Sequence, residues 1–464
     1  MQRILAIAWL TWKAALRFKL FLVIAALLVL AVVGLPLVIK DDGSAQGFTQ
    51  IILTYTLSTI TALLGLSTLW LSCGTLARDI EECQIQVVAT KPVARWQIWL
   101  GKWLGIVTLN AALLAISGTC VFALLQWRAT KLPPEVRKVL REQVLVARGS
   151  AKEASNEAQI EAVTDQELRA RVKSAAIESP ADILELRKQI REMVRGGSQL
   201  VPPSYRRTWK IDLGRARYSL AGKPLQLRVK FNTAQPGAAD VTFLTFWEVG
   251  DPSSPKVTRL EPMHLAPDTF HEFPIPADLF DENGALLVTF INPPNNPALL
   301  FAPGDSMEVL YPEGGFTLNF ARGLGIIFCW MALLAALGLA AASVLSFPVA
   351  AFFALAMMTV VFCSGTLADS VDSGTVAGGN AETGKMNHSF ADVVLIPAFK
   401  GVLAVVSLAK NFSPIDALST GRCITWGELG MAFTQIVLLL GGVFAVTGIA
   451  LFSRRELATA QGTQ

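Results

Sequence analysis

Residues 378–386 read GGNAETGKM, and Gly379, Gly384 and Lys385 keep the G-x-x-x-x-G-K spacing with which a phosphate-binding loop wraps a nucleotide. That chemistry also needs a Ser or Thr on the magnesium, a strand before the loop and a helix after it. Met386 stands at the metal position, and no strand pattern leads into the stretch. A Gly-rich surface loop is expected here, with no cofactor held by this chain. His264 and His271 are the other candidates for chemistry. No Cys and no paired acidic spacing accompanies them, so a structural role is expected rather than a metal site. Three histidines in all support no Ser-His-Asp or Cys-His arrangement, and no catalytic residue is assigned. The six cysteines (Cys73, Cys83, Cys120, Cys329, Cys363, Cys423) form no C-x-x-C pair and none lies in the large polar insert, which argues for free thiols.

The elements that must carry these residues follow from how the charges are spaced. Hydrophobic residues make up 52% of the chain and charged residues 16%, too apolar for an ordinary soluble protein. No charge occurs between Lys19 and Lys40, Asp42 and Arg78, Lys102 and Arg128, Arg322 and Asp369, or Glu428 and Arg454. A membrane-crossing helix needs about 20 apolar residues. Four of these windows hold one span each, and the window from Arg322 to Asp369 holds two, hinged at Ser346-Phe347-Pro348. The expectation is an α-helical integral membrane protein with six transmembrane helices. None of the six has an ionisable residue in its core, which removes the usual relays of proton- and sodium-coupled transport. Energy for any uphill movement would then come from a partner.

Orientation follows from the flanking cations. With both termini cytoplasmic, the inner flanks carry Arg3, Lys13, Arg17, Lys19, Arg78, Lys91, Arg95, Lys102, Arg454 and Arg455, the positive-inside pattern. The first residues, with Trp9, Trp12, Lys13 and Arg17, read as an interfacial helix. This orientation makes the insert between spans three and four extracytoplasmic. Its first part, 128–204, reads as helical: Thr164 to Glu167 has capping-box spacing with Val163 and Leu168 as a staple, and Ser179-Pro180 opens a second helix with Ile183, Leu186, Ile190 and Met193 on one face. Its second part, 205–318, changes to alternating strands near 209–213, 225–231, 241–249, 285–291 and 307–311, separated by turns such as INPPNNP, and a β-sandwich is expected.

Residues 391–412 are apolar enough for a seventh span, but Pro397 and Gly401 interrupt them and Lys400 sits in the middle. A charge there costs roughly 3 kcal/mol on insertion scales. A re-entrant or interfacial helical hairpin on the outer face is expected. Span two carries one ordered polar face: Thr54, Ser58, Thr61, Gly65, Thr68 and Ser72 recur every three or four residues. Small and hydroxyl residues at this spacing serve close helix packing, and the same face could line a translocation path or a dimer interface.

The longest inner connection, 77–102, holds Asp79, Glu81 and Glu82, then Lys91, Pro92 and Arg95, then Trp96, Trp99 and Trp103 as interface anchors. An ordered set of short motifs runs from here: Glu81-Glu82, Pro92-Val93-Ala94-Arg95, Gly101-Lys102, SFPVA at 346–350, SPIDALSTGRCITWGEL at 413–429 and FSRREL at 452–457. The set resembles the ABC-2 type permeases, membrane subunits of ATP-binding-cassette exporters, across the membrane part of the chain. Cys83-Gln84 stands where Gly-Thr is common, and the large insert is not a general feature of that family.

The resemblance implies a bacterial inner-membrane permease half without enzymatic activity of its own. ATP and magnesium would be bound by a separate cytoplasmic ATPase subunit, with Glu81, Glu82, Pro92 and Arg95 as the coupling residues. A second permease half, identical or related, would pair with it in the lipid, and 391–412 would act as an external gate. The implied domains are 1–127 (interfacial helix and spans one to three), 128–204, 205–318, and 319–464 (spans four to six and a short tail). The insert is expected to meet a substrate or periplasmic partner, and no nucleic acid is expected. A membrane-anchored sensor or scaffold, whose β-sandwich binds a ligand or partner, is the alternative.

Overall fold

The computed structural model describes residues 2–17, 19–38, 45–82, 84–85, 93–141, 145–153, 156–175, 180–214, 220, 225–233, 241–251, 257–276, 279–281, 284–304, 306–376 and 391–455. Cys83, Lys91, Pro92 and the loop 378–386 lie outside the described residues. The chain forms two compact units, one of Met1–Val146 with Gly315–Gln464 and one of Ala147–Gly314.

Along the chain the helices are α1 (Gln2–Arg17), α2 (Lys19–Val38), α3 (Ala45–Glu81), α4 (Arg95–Ala129), α5 (Pro134–Val139), α6 (Glu157–Ala175) and α7 (Pro180–Gln199). After the sheet region come α8 (Phe316–Ala342), α9 (Phe347–Phe362), α10 (Ser364–Ser373), α11 (Asp392–Lys410), α12 (Pro414–Ser419), α13 (Trp426–Ala432) and α14 (Gly442–Arg454). Between α13 and α14 the same helix widens to π winding over Phe433–Gly441.

The first unit is a helical bundle. By length and composition, five of its described helices could cross a membrane: Ile51–Glu81, Arg95–Ala129, Phe316–Ala342, Asp392–Ser419 and Trp426–Arg454. Two of the expected six, α2 and α9, are not among these five, and the 391–412 segment is. Helix α9 has 16 residues, about 24 Å, against a hydrocarbon thickness of roughly 30 Å. Helix α2 has 20 residues, about 30 Å, which matches that thickness. The 391–412 segment is not a broken hairpin. Asp392–Lys410 is one helix running through Pro397 and Gly401, and its apolar length puts it among the five. Proline at the sixth helical position removes one hydrogen bond without ending the helix here, and Lys400 is exposed.

Close approach organises this bundle. Helices α3 and α8 meet where Gly338 faces Ser72, and a Cβ on Gly338 would overlap the Ser72 hydroxyl. Gly118 of α4 faces Leu324 of α8 in the same way. Gly448 of α14 lies against Ala340 and Trp99, with 3.0 Å between its absent Cβ and the Ala340 Cα. Between these contacts Leu53, Leu57, Ile60 and Leu64 of α3 are fully buried with Ile327 and Met331 of α8.

The second unit holds strands β1 (Val146–Lys152), β2 (Leu200–Val201), β3 (Arg206–Asp212), β4 (Leu225–Val229), β5 (Asn232–Thr233) and β6 (Phe243–Val249). Then follow β7 (Thr258–Arg259), β8 (Met263–Leu265), β9 (His271–Ile275), β10 (Ala285–Ile291), β11 (Leu299–Leu300) and β12 (Met307–Gly315). One sheet runs β1-β12-β4-β9 and another β3-β10-β6-β7 with β8 also on β6; β2-β11-β5 is a short third. The described pairings are antiparallel.

Both large sheets feed one apolar core. Trp247 sits within it, its ring 4.9 Å from Phe290 and 6.0 Å from Phe273. Gln226 and Arg228 alternate with the core residues Leu225, Leu227 and Val229, so they lie on the opposite face of their sheet. There Arg148 meets Glu272 at 2.7 Å and Arg228 meets Glu308 at 3.0 Å. Strand β1 falls within the 128–204 segment read as helical. Gly149 allows Tyr311 to lie where a Cβ would otherwise stand. The capping-box reading at Thr164 also fails. Helix α6 begins at Glu157, and Thr164 is a buried interior residue whose hydroxyl donates to the Ile160 carbonyl at 2.7 Å.

The α3–α8 contact yields a packing test. Gly338→Ala is expected to destabilise the chain by about 1–3 kcal/mol through overpacking. Adding Ser72→Ala removes the hydroxyl but leaves the Cβ of residue 72 at 2.9 Å, so it should recover part of that loss, and thermal unfolding of the detergent-solubilised chain measures both.

Candidate functional site

Several helices end near one another at a cluster of charges, and the termini of α8, α9 and α14 are each held by a side chain from another element. Helix termini leave backbone groups without helical partners, so such side chains satisfy real deficits. Arg95, the first residue of α4, donates through Nη1 to the carbonyls of Phe452, Ser453 and Arg455 at 3.0, 2.7 and 2.8 Å. It thereby caps the C-terminal end of α14, where a cation also complements the helix dipole. Arg455 donates to the Ser343 carbonyl at the end of α8, at 3.2 Å.

The Phe347 turn is gripped by the end of α3. The Phe347 backbone N–H donates to Glu81 Oε1 at 2.9 Å, which places a carboxylate at the N-terminus of α9. Its ring lies edge-on to Trp70 at 5.1 Å and under the Arg78 guanidinium at 4.7 Å. Gly74 leaves room for that ring, since a Cβ there would touch it at 3.4 Å. Glu82 is exposed and accepts from Gln84 at 2.6 Å.

Between these two grips lies a buried ion pair. The Lys102 ammonium on α4 stands 2.5 Å from Asp79 Oδ2 and donates to the Thr75 carbonyl of α3 at 2.9 Å. Lys102 is buried and Asp79 is partly open to solvent. The pair fixes the start of α4 against the end of α3. Trp99 is fully buried beside it on α4, and its indole N–H has no partner among the described residues.

The polar face of α3 divides into two. Gly65, Thr68 and Ser72 face the interior: Thr68 Oγ1 donates to the Leu64 carbonyl at 2.6 Å and accepts from Asn110 Nδ2 of α4 at 2.8 Å, and Gly65 lies against Leu334 of α8. Thr61 is half-buried and its hydroxyl finds no partner among the described residues. Thr54 is half-buried and Ser58 exposed, so these two do not join the α3–α4–α8 contact. The lower part of this face therefore works in helix packing, while Ser58 is open to whatever surrounds the bundle.

Of the residues singled out from sequence, Glu81 and Arg95 sit in the same helix-end cluster, Glu82 lies at its exposed edge, and Pro92 is outside the described residues. His271 Nε2 lies 2.8 Å from the Ala266 carbonyl, and His264 is exposed. Sequence reading missed Asn110 and the Lys102–Asp79 pair. The signal for Asn110 was present, since it is the single Asn within the apolar run of α4. No family model, curated protein or solved structure matches the chain.

The ion pair can be tested directly. Asp79→Ala leaves the Lys102 ammonium buried with one carbonyl, and a loss of about 3 kcal/mol is expected. The double variant Asp79→Leu/Lys102→Met removes both charges and should recover most of it. Thermal melts in mild detergent read both; equal melting of wild type and Asp79→Ala would show that the pair holds nothing.

Proposed function

We propose that this chain is the permease subunit of an ABC-2 type transporter, exporting its substrate with energy from a separate cytoplasmic ATPase subunit. In this reading it is a bacterial inner-membrane protein with cytoplasmic termini, and its sheet-containing insert faces the other side. The observation that carries the proposal is the helix-end cluster. Glu81 and Arg95 border the connection between α3 and α4, the place at which an ATPase would dock. The same two side chains tie that connection to α9 and α14.

A coupling element must be stiff, because slack dissipates motion before it reaches the spans. The Lys102–Asp79 pair, the Arg95 cap and the Glu81 grip supply that stiffness by joining four helix ends into one body. Push on the connection and α3, α4, α9 and α14 move together. Apart from Lys400 on α11, the central parts of the long apolar helices hold no charged residue that could serve as a relay and let the chain energise transport unaided. In the proposed assembly a second permease half completes the complex in the lipid, and Ser58 and Thr54 lie on the surface available to it.

The test is recovery of an ATPase with the tagged chain from mild detergent, identified by mass spectrometry. Glu82→Lys is the informative variant, since Glu82 is exposed and its described partner is only Gln84, whereas Glu81→Lys also disturbs α9. Wild type should bring down a stoichiometric ATPase, and Glu82→Lys should reduce it by at least about tenfold, equivalent to about 1.4 kcal/mol. If crosslinking in native membranes also finds no ATPase beside the wild-type chain, the permease reading is wrong. A membrane-anchored scaffold then takes its place.

A further inference from the structure

Helix α1 is covered on one side only. Ile7, Ala8 and Thr11 rest on two glycines of α4 so closely that a Cβ on Gly101 would stand 2.7 Å from the Ile7 Cβ, and one on Gly105 2.8 Å from the Ala8 carbonyl oxygen. Trp12 adds a hydrogen bond from Nε1 to Thr108 Oγ1 at 2.9 Å. The outward side carries Leu5, Trp9 and Leu16 along one edge and Arg3, Lys13 and Arg17 along the other, with Leu10 among the cations, all exposed. Trp9 is 59% exposed, and the Lys13 ammonium sits 5.7 Å from its ring centre.

The charge on this surface has one sign. No Asp or Glu occurs in the chain before Asp41. Near the start of α4, Asp79 is engaged by Lys102, Glu81 by the Phe347 N–H, and Glu82 accepts from Gln84. An acidic protein would match the cations but would leave Leu5, Trp9 and Leu16 facing water. A surface that is hydrocarbon on one side and phosphate on the other matches both edges at once. Tryptophan beside a cation is the side-chain pairing that such a boundary favours.

We propose that α1 is a docking surface for the anionic headgroups of a lipid bilayer. Leu5, Trp9 and Leu16 sit at the acyl boundary, and Arg3, Lys13 and Arg17 lie on the lipid phosphates. Because α1 is seated on Gly101 and Gly105, immediately beside Lys102, the charge of the leaflet then sets how firmly the start of α4 is held. The proposal requires only that the helical unit lies in a membrane, so it stands or falls separately from the permease reading.

The experiment uses the full chain in nanodiscs of phosphatidylcholine, with and without phosphatidylglycerol, and follows amide exchange of residues 2–17. Phosphatidylglycerol is expected to slow exchange in α1, with each cation contributing about fivefold to the lipid preference. Arg3→Gln/Lys13→Gln/Arg17→Gln should abolish the difference between the two lipids, while Arg3→Lys/Lys13→Arg/Arg17→Lys should keep it. Exchange across α3 and α8 reports that the variants remain folded. Equal exchange of the wild-type helix in both lipids overturns the proposal, even if the neutral variant does not fold. So does a folded neutral variant that keeps the wild-type preference.

Discussion

The helical unit depends on the places where a Cβ is missing. Helices surrounded by hydrocarbon gain nothing from hiding apolar side chains from water, so they must hold one another by shape and by hydrogen bonds. Gly338 against Ser72, Gly118 against Leu324, and Gly101 and Gly105 under α1 bring backbones close enough for that. On the same side of α3, Thr68 accepts from Asn110 of α4, a bond between two buried polar groups that would each be costly alone. Helix α3 thus packs by shape against α8 and by polar pairing against α4.

Toward the charged end of the bundle the logic changes from shape to electrostatics. The termini of α8, α9 and α14 carry unsatisfied carbonyls and amides, and Arg455, Glu81 and Arg95 answer them from other elements. Lys102 and Asp79 add a partly buried pair between α3 and α4. A buried pair contributes little net stability, since both charges lose water, but breaking it is expensive. Its use is to specify one arrangement of helix ends. This property suits the proposed coupling role, in which a short connection must deliver motion to several spans without loss.

The sheet-containing unit is built on the opposite principle. Its core of Trp209, Trp247, Phe231, Phe290 and Phe301 is the apolar cluster expected of a protein in water. Its buried charges, Arg148, Arg228, Glu272 and Glu308, neutralise one another across the outward face of one sheet. One chain therefore combines helices apolar enough to cross a membrane with a sheet region around an ordinary apolar core, and the change between them lies where the charge-free windows give way to mixed-sign residues.

That change was legible without coordinates, because it depends on residue type averaged over long windows. The charge-free runs located α3, α4, α8 and α14, the hinge at Ser346-Phe347-Pro348 located the start of α9, and alternation located β4, β6 and β10. Readings that needed a balance between local signals failed. Pro397, Gly401 and Lys400 suggested a broken hairpin, yet α11 runs through all three. Thr164 carried a cap signature but is interior to α6. Glu81 and Arg95 stood out as charges, but their partners could not be read, since the Arg95 contacts lie 357 to 360 residues away. By itself the sequence determined which segments are apolar helices, which are strands and where charges gather. Only the tertiary structure decided which glycine meets which hydroxyl and which charge answers which helix end. Pairing across hundreds of residues depends on where helices come to lie, and no local pattern encodes that.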